Sequence, residues 1–159
     1  MKRGLVATAL TAILLMGFSL NPPAPARALG ATSGCSNVSA AGKWGYSYTG
    51  TLLLPTAAVP VASVGVFTQD AAGNVVGTQF RNVGGGSGKE VIKGKIAVDA
   101  DCSATGTFNV YQAGVLVRSA VIDFVYVDNS REVRGIFEGL VLPNGAKIPV
   151  VITLDGKRQ

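Results

Sequence analysis

The stretch Ser103-Ala104-Thr105-Gly106-Thr107-Phe108-Asn109-Val110-Tyr111, followed by Gln112-Ala113-Gly114 and the Val-rich run from Val115 to Val127, decides the fold class. Ala104, Gly106, Phe108 and Val110 alternate with Ser103, Thr105, Thr107 and Asn109, the period-two pattern of a strand with one buried face. Gln112-Ala113-Gly114 has room only for a tight reversal, so the run after it must return antiparallel beside the first strand.

The same grammar extends both ways. Upstream lie strands over Lys43 to Leu54 (closed by Pro55), about Val59 to Gln69 (closed by Asp70-Ala71-Ala72-Gly73-Asn74), Val75 to Val83, and Lys89 to Val98. Gly84 to Gly88 reads as a flexible hairpin loop, since it lacks the Lys-Ser/Thr and following helix of a phosphate cradle. The fourth strand places Glu90, Ile92, Gly94, Ile96 and Val98 on one side and Lys89, Val91, Lys93, Lys95 and Ala97 on a side that reads as solvated. Downstream are Arg131 to Leu142, whose Gly135 and Gly139 suit a bent strand, and, after the hairpin signal Pro143-Asn144-Gly145, Ala146 to Leu154. From Lys43 onward no run of ten or more residues has apolar positions at helical spacing. Eight strands with short connections predict an antiparallel meander, and closure would remove its aggregation-prone edges. The expectation is an all-β, eight-stranded antiparallel up-and-down barrel, with a two-sheet β-sandwich as the alternative.

The chain has 159 residues, 14 Lys+Arg against 9 Asp+Glu, and no His. Lys2 and Arg3 precede an apolar stretch from Leu5 to Leu20, then comes the Pro-rich Asn21 to Pro25, and Ala26-Arg27-Ala28 presents small residues where a signal peptidase reads. Residues 1–28 therefore read as a signal peptide, too short in its apolar run for a transmembrane anchor. Residues 29–42 form an N-terminal segment carrying Cys35, residues 43–155 a single barrel domain, and residues 156–159 a short tail. Removing 28 residues takes Lys2, Arg3 and Arg27 with it and lowers the net charge from +5 to +2, too little for a nucleic-acid partner. The expected location is secreted or periplasmic. There the two cysteines, Cys35 and Cys102, have only each other to pair with.

The composition excludes several chemistries. Without histidine there is no Ser-His-Asp or Cys-His catalysis and no imidazole metal site, and two cysteines cannot build a tetrathiolate zinc centre. The Asp99/Asp101 pair falls short of a calcium loop. No metal and no cofactor is expected. Asp123 interrupts the row Val115, Val117, Val121, Val125 and Val127; were that row buried, it would be a lumen acid/base, a ligand anchor or a hydrogen-bonded structural carboxylate. Arg118, Arg134 and Glu138 are the other weak catalytic candidates, against cross-strand surface pairing. Trp44, Tyr46 and Tyr48 share one strand face and, with Phe124 and Tyr126, would line a ligand pocket or plug the barrel floor.

Gly42-Lys43-Trp44 resembles the Gly-x-Trp opening of the lipocalins, whose first-strand Trp packs under the barrel beneath a basic residue from a late strand; Arg131 or Arg134 would be that partner. Cys35-Ser36-Asn37-Val38-Ser39, Gly42-Lys43-Trp44-Gly45-Tyr46, Val64-Gly65-Val66-Phe67 with Asp70-Ala71-Ala72-Gly73-Asn74, and Asp101-Cys102-Ser103-Ala104-Thr105-Gly106-Thr107 resemble a group of small exported bacterial proteins of unknown function. That group is in turn similar to the allene oxide cyclase and dirigent type of eight-stranded barrel, through the turn from Phe67 to Asn74. This likeness implies a barrel acting through pocket shape and carries over no catalytic residue.

Three functions follow as expectations: a barrel binding a small apolar ligand, a cyclase-like or isomerase-like enzyme with a lumen carboxylate, and a structural or envelope-interaction protein with a filled barrel. A lumen below a few hundred Å3 would count against both pocket readings. The sixth strand is apolar on both sides, so a partner copy covering it in a homo-oligomer is a further expectation.

Overall fold

A computed structural model describes residues 34–159. The predicted signal peptide lies outside the described residues. A four-residue helix, α1 (Asn37–Ala40), precedes β1 (Gly42–Leu54), β2 (Ala57–Gln69), β3 (Asn74–Val83), β4 (Gly86–Val98), β5 (Ser103–Gln112), β6 (Val115–Val127), β7 (Glu132–Val141), β8 (Lys147–Ile148) and β9 (Val150–Arg158). Each strand pairs antiparallel with the next through β7; β7 pairs with β8 and β9, and β9 returns to β1. The ring is closed, so the structure is the eight-stranded antiparallel barrel and not the sandwich. β8 and β9 are one stave interrupted at Pro149, which has no N–H for a ladder but whose carbonyl still accepts from Leu53 N at 2.9 Å.

Two boundaries differ from the sequence reading. Only Gly84 and Gly85 turn the β3–β4 hairpin, with φ of 56° and 98°, the left-handed pair of a type I′ turn, and Gly86 to Gly88 already belong to β4. The last strand continues to Arg158, so residues 156–158 pair with β1 instead of trailing as a tail.

The inward row carries Trp44, Tyr46, Tyr48, Phe67, Phe108, Phe124, Tyr126 and Phe137. The outward row mixes Lys, Thr, Ser and Asn with exposed Val and with Phe80 and Ile136. No helix among the described residues is long and apolar enough to cross a membrane. Inward glycines make room for the rings: a Cβ on Gly65 would sit 2.8 Å from the Tyr46 ring, and one on Gly106 2.6 Å from that of Phe108. Part of the glycine excess is therefore a packing requirement of an aromatic-filled barrel.

Bulges set where the faces change. Glu138 is the extra residue between the pairs Ile122↔Phe137 and Val121↔Gly139. It restores Leu140 to the inside after Phe137.

Candidate functional site

The two ends of the barrel differ. One is sealed. The Cys35–Cys102 disulfide fastens the N-terminal segment to the head of β5, and a reciprocal Ser36–Ser39 capping box builds α1 beside it. The Asn37 side chain accepts from Val98 N at 3.1 Å. Trp44, fully buried, donates from Nε1 to Ala40 O at 3.0 Å, stacks on Phe67 and meets Tyr126 edge-on. The Arg158 guanidinium covers the indole at 5.4 Å and donates to Ser39 O. The basic partner of Trp44 is thus Arg158, from the last strand; Arg131 and Arg134 do not cover it. Sequence reasoning missed Arg158 because it placed that residue in a tail beyond the last strand.

The middle of the barrel is nearly full. Tyr46, Tyr48, Phe67, Phe108, Phe124 and Phe137 close around a cavity of about 40 Å3. That is room for a water or so and not for a ligand.

The other end forms a recess of about 430 Å3 that is open to solvent. Its walls are Leu52, Val83, Val117, Leu142 and Ile148 together with Gly86, Ser87, Gly88 and Gln112, and Arg81, Glu90, Arg118 and Leu140 form its floor. Arg81, Arg118 and Leu140 also border the small cavity below, which places them at the boundary between the two spaces. Beneath the chamber runs a buried polar network. Arg118 donates through Nη1 and Nη2 to the two oxygens of Glu90, at 2.7 and 2.6 Å. Gln79 Nε2 donates to Glu90 Oε2 at 2.6 Å and lies 3.3 Å from the Tyr48 hydroxyl, while Gln79 Oε1 accepts from the Tyr46 hydroxyl at 2.6 Å.

Burial alone would raise the Glu90 carboxyl, but the hydrogen bonds from Arg118 and Gln79 outweigh it and hold the carboxyl below its ordinary range. Burial also opposes the Arg118 cation, and its bonds to Glu90 more than offset this. Arg81 is pushed down by burial and by the like charge of Arg118. Burial raises the Tyr46 phenol far above its usual value, and pushes Tyr126 up to about 12.

The residues singled out from the sequence separate into four groups. Tyr46, Tyr48 and Phe124 border the small cavity, and Trp44 and Tyr126 lie at the sealed end, Tyr126 donating to Gln69 Oε1 at 3.0 Å. Arg118 points inward to the chamber floor. Arg134 is exposed on the outside, 3.6 Å from Asp155 and 3.9 Å from Glu132. Asp123 is also outside, accepting from Thr105 Oγ1 at 2.9 Å, with the exposed Glu138 beside it raised by that neighbouring carboxyl. The lumen carboxylate is therefore not Asp123: the buried row of β6 is Arg118, Ala120, Ile122, Phe124 and Tyr126, not the valine row. Glu138 and Arg134 are likewise outside the lumen.

Sequence reasoning missed Glu90, Arg81 and Gln79 as a site. The signal was present, because Glu90 shares its alternation with Ile92 and Ile96, and Gln79 and Arg81 share theirs with Val75 and Val83. A charged or amide side chain on an otherwise apolar row marks a buried polar cluster. No group of three His, Cys, Asp or Glu side chains converges as a metal site among the described residues.

No protein-family model matches the sequence, and no curated protein is significantly similar to it. Among solved structures the chain is similar to EF1p2_mFAP2b bound to DFHBI, at 13% identity and a TM-score of 0.54, covering 77% of this chain and 98% of the other. It also matches mFAP1, a redesigned β-barrel bound to DFHBI, at 14% identity and a TM-score of 0.49, covering 76% and 99% of the two chains. The first likeness supports the barrel fold.

Proposed function

We propose that this protein binds a small molecule in the chamber at the open end of the barrel. The observation that carries the reading is a recess of about 430 Å3 with largely apolar walls, interrupted by Ser87 and Gln112, over a floor of interlocked, buried polar groups. Volume, apolar lining and a few fixed polar groups are the usual marks of a ligand site. EF1p2_mFAP2b, similar in fold, is itself bound to a small molecule. The aromatic lumen serves as the rigid support beneath the site, in place of the aromatic-lined pocket expected from Trp44, Tyr46, Tyr48, Phe124 and Tyr126. Binding is favoured over a cyclase-like reaction because Glu90, the carboxylate on the floor, is held ionised by Arg118 and is a poor proton donor near neutral pH. The test is native mass spectrometry of protein purified from its own host. A small-molecule adduct is expected, and Val117→Trp, which fills the chamber, should abolish it. An adduct unaffected by Val117→Trp would place the ligand elsewhere, and an absent adduct would favour a filled, structural barrel.

Export belongs to the same proposal. The Cys35–Cys102 bond supports it, since disulfides persist in oxidising compartments. The intact mass of the host protein should correspond to a chain beginning at Leu29.

A further inference from the structure

Building on the chamber reading, we infer that the ligand is a small monoanion with an apolar tail, bound with its carboxylate-like head on Arg81 at the chamber floor and its tail directed outward.

Most polar groups of the floor already have partners. Both Nη atoms of Arg118 are engaged by Glu90, and the Glu90 oxygens take three hydrogen bonds from Arg118 and Gln79. Gln79 Oε1 is occupied by Tyr46. Glu90 supplies one negative charge against the two guanidinium charges of Arg118 and Arg81; Arg81 lies close enough to the Tyr48 hydroxyl and to Glu90 to be favoured by both, but the bidentate carboxylate contact belongs to Arg118. Arg81 points into the same space from β3, is partly buried, and takes part in none of the ion pairs among the described residues. A guanidinium keeps its charge under any ordinary condition, so the excess positive charge on the floor is not relieved by deprotonation. An anion relieves it. A carboxylate suits the planar fork best, because two parallel N–H···O bonds can form. One surplus guanidinium matches one negative charge, and a cationic ligand would face both Arg81 and Arg118.

The tail direction follows from volume. Below Arg81 and Arg118 only about 40 Å3 is open, so an alkyl chain cannot descend past the head. Above them stand Val83, Val117, Leu142 and Ile148, an apolar side that leads to the rim opposite the polar Ser87 and Gln112. This is the reverse of a carrier that buries the tail in the lumen and leaves the head at the entrance.

The experiment is a titration of the 15N-labelled, disulfide-bonded protein at pH 7 with three six-carbon probes, hexanoate, 1-hexanol and hexylamine, followed by amide NMR shifts. Hexanoate should bind about tenfold or more tightly than 1-hexanol, as expected for a charge-assisted pair in a partly buried site. Hexylamine should bind weakest, and the shifts should cluster at residues 83–88, 117 and 142–148. In Arg81→Gln the hexanoate and hexanol affinities should converge; Arg81→Lys should keep part of the preference. Equal binding of hexanoate and hexanol to the unaltered protein at those residues would overturn the anion inference while leaving the chamber reading intact, and this comparison needs no variant to fold. Preference for hexanoate that survives Arg81→Gln would overturn Arg81 as the head site. No shifts at the chamber residues with any probe would overturn both readings.

Discussion

The guanidinium of Arg118 clasps both carboxylate oxygens of Glu90 although their strands, β6 and β4, are not neighbours in the ring; β5 lies between them. The pair is therefore a tie across the inside of the barrel and not a cross-strand surface pair.

Breaking that tie from one side leaves a buried charge. Arg118→Met should cost about 3–5 kcal/mol of unfolding free energy, and the double variant Arg118→Met with Glu90→Leu should recover most of the loss. Urea denaturation of the two variants checks this; equal stability of the double and single variants would show that the cost lies in packing, not charge.

Acid should loosen the same tie. Because the native Glu90 carboxyl sits below its ordinary range, the native state binds that proton more weakly than the unfolded chain. The stability it contributes is complete above the ordinary Glu value near ~4.3 and is lost as pH falls through the lower native value. Melting temperatures of the protein and of Glu90→Gln, recorded from neutral to acid pH, should draw together in that acid window and differ above it.

The fold was legible because alternation and turn chemistry survive in a single sequence. The strand from Ser103 to Tyr111 and the Pro143-Asn144-Gly145 turn needed no tertiary information. The site was less legible for a physical reason: parity tells which residues share a face but not which face points inward when both rows are apolar. On β6 both rows are apolar, so Asp123 is a lumen carboxylate only if the valine row faces inward, and the barrel buries the other row. Phe124 and Tyr126 fill the lumen from the row that also contains Arg118, and the larger aromatic surface determines the face. The bulge at Glu138 changes face parity within β7 in a way no spacing rule anticipates.

Trp44 is the only tryptophan, so its fluorescence reports on the sealed end alone. Emission should be blue-shifted and poorly quenched by acrylamide. Trp44→Ala should cost about 3–5 kcal/mol as a large core truncation. Arg158→Ala should leave the fold intact but make the indole measurably more quenchable, since it removes the cover and its bond to Ser39.

Reducing the disulfide should destabilise the protein by about 4 kcal/mol, the chain-entropy figure for a loop spanning a sequence separation of 67. Differential scanning calorimetry with and without reductant measures it. Amide exchange should show α1 and the end of β4 losing protection first, because Asn37 ties the helix to Val98 there.

On the outer face, Glu138 is raised by its neighbour Asp123, so ionising both is unfavourable in the native state. The folded protein holds that proton more tightly than the unfolded chain, and stability falls as pH rises through the Glu138 titration. Glu138→Gln should therefore melt higher than the parent at neutral pH, with the difference vanishing in acid. A lower melting temperature at neutral pH would mean that the bulge needs the carboxylate itself.

Seven of the eight seams of this ring join strands that follow one another along the chain, and only the β1–β9 seam, with Trp44 opposite Arg158, joins distant segments. Nearly all of the entropic cost of long-range pairing is thus concentrated in a single closure event. Hairpins can form early and locally, while the ring itself, and with it the covering of Trp44, must wait for one slow encounter. A circular permutant that links residue 159 to residue 42, giving up the disulfide and α1, and opens the chain at the Gly84-Gly85 turn would make that encounter a hairpin and shift the slow step to the β3–β4 seam.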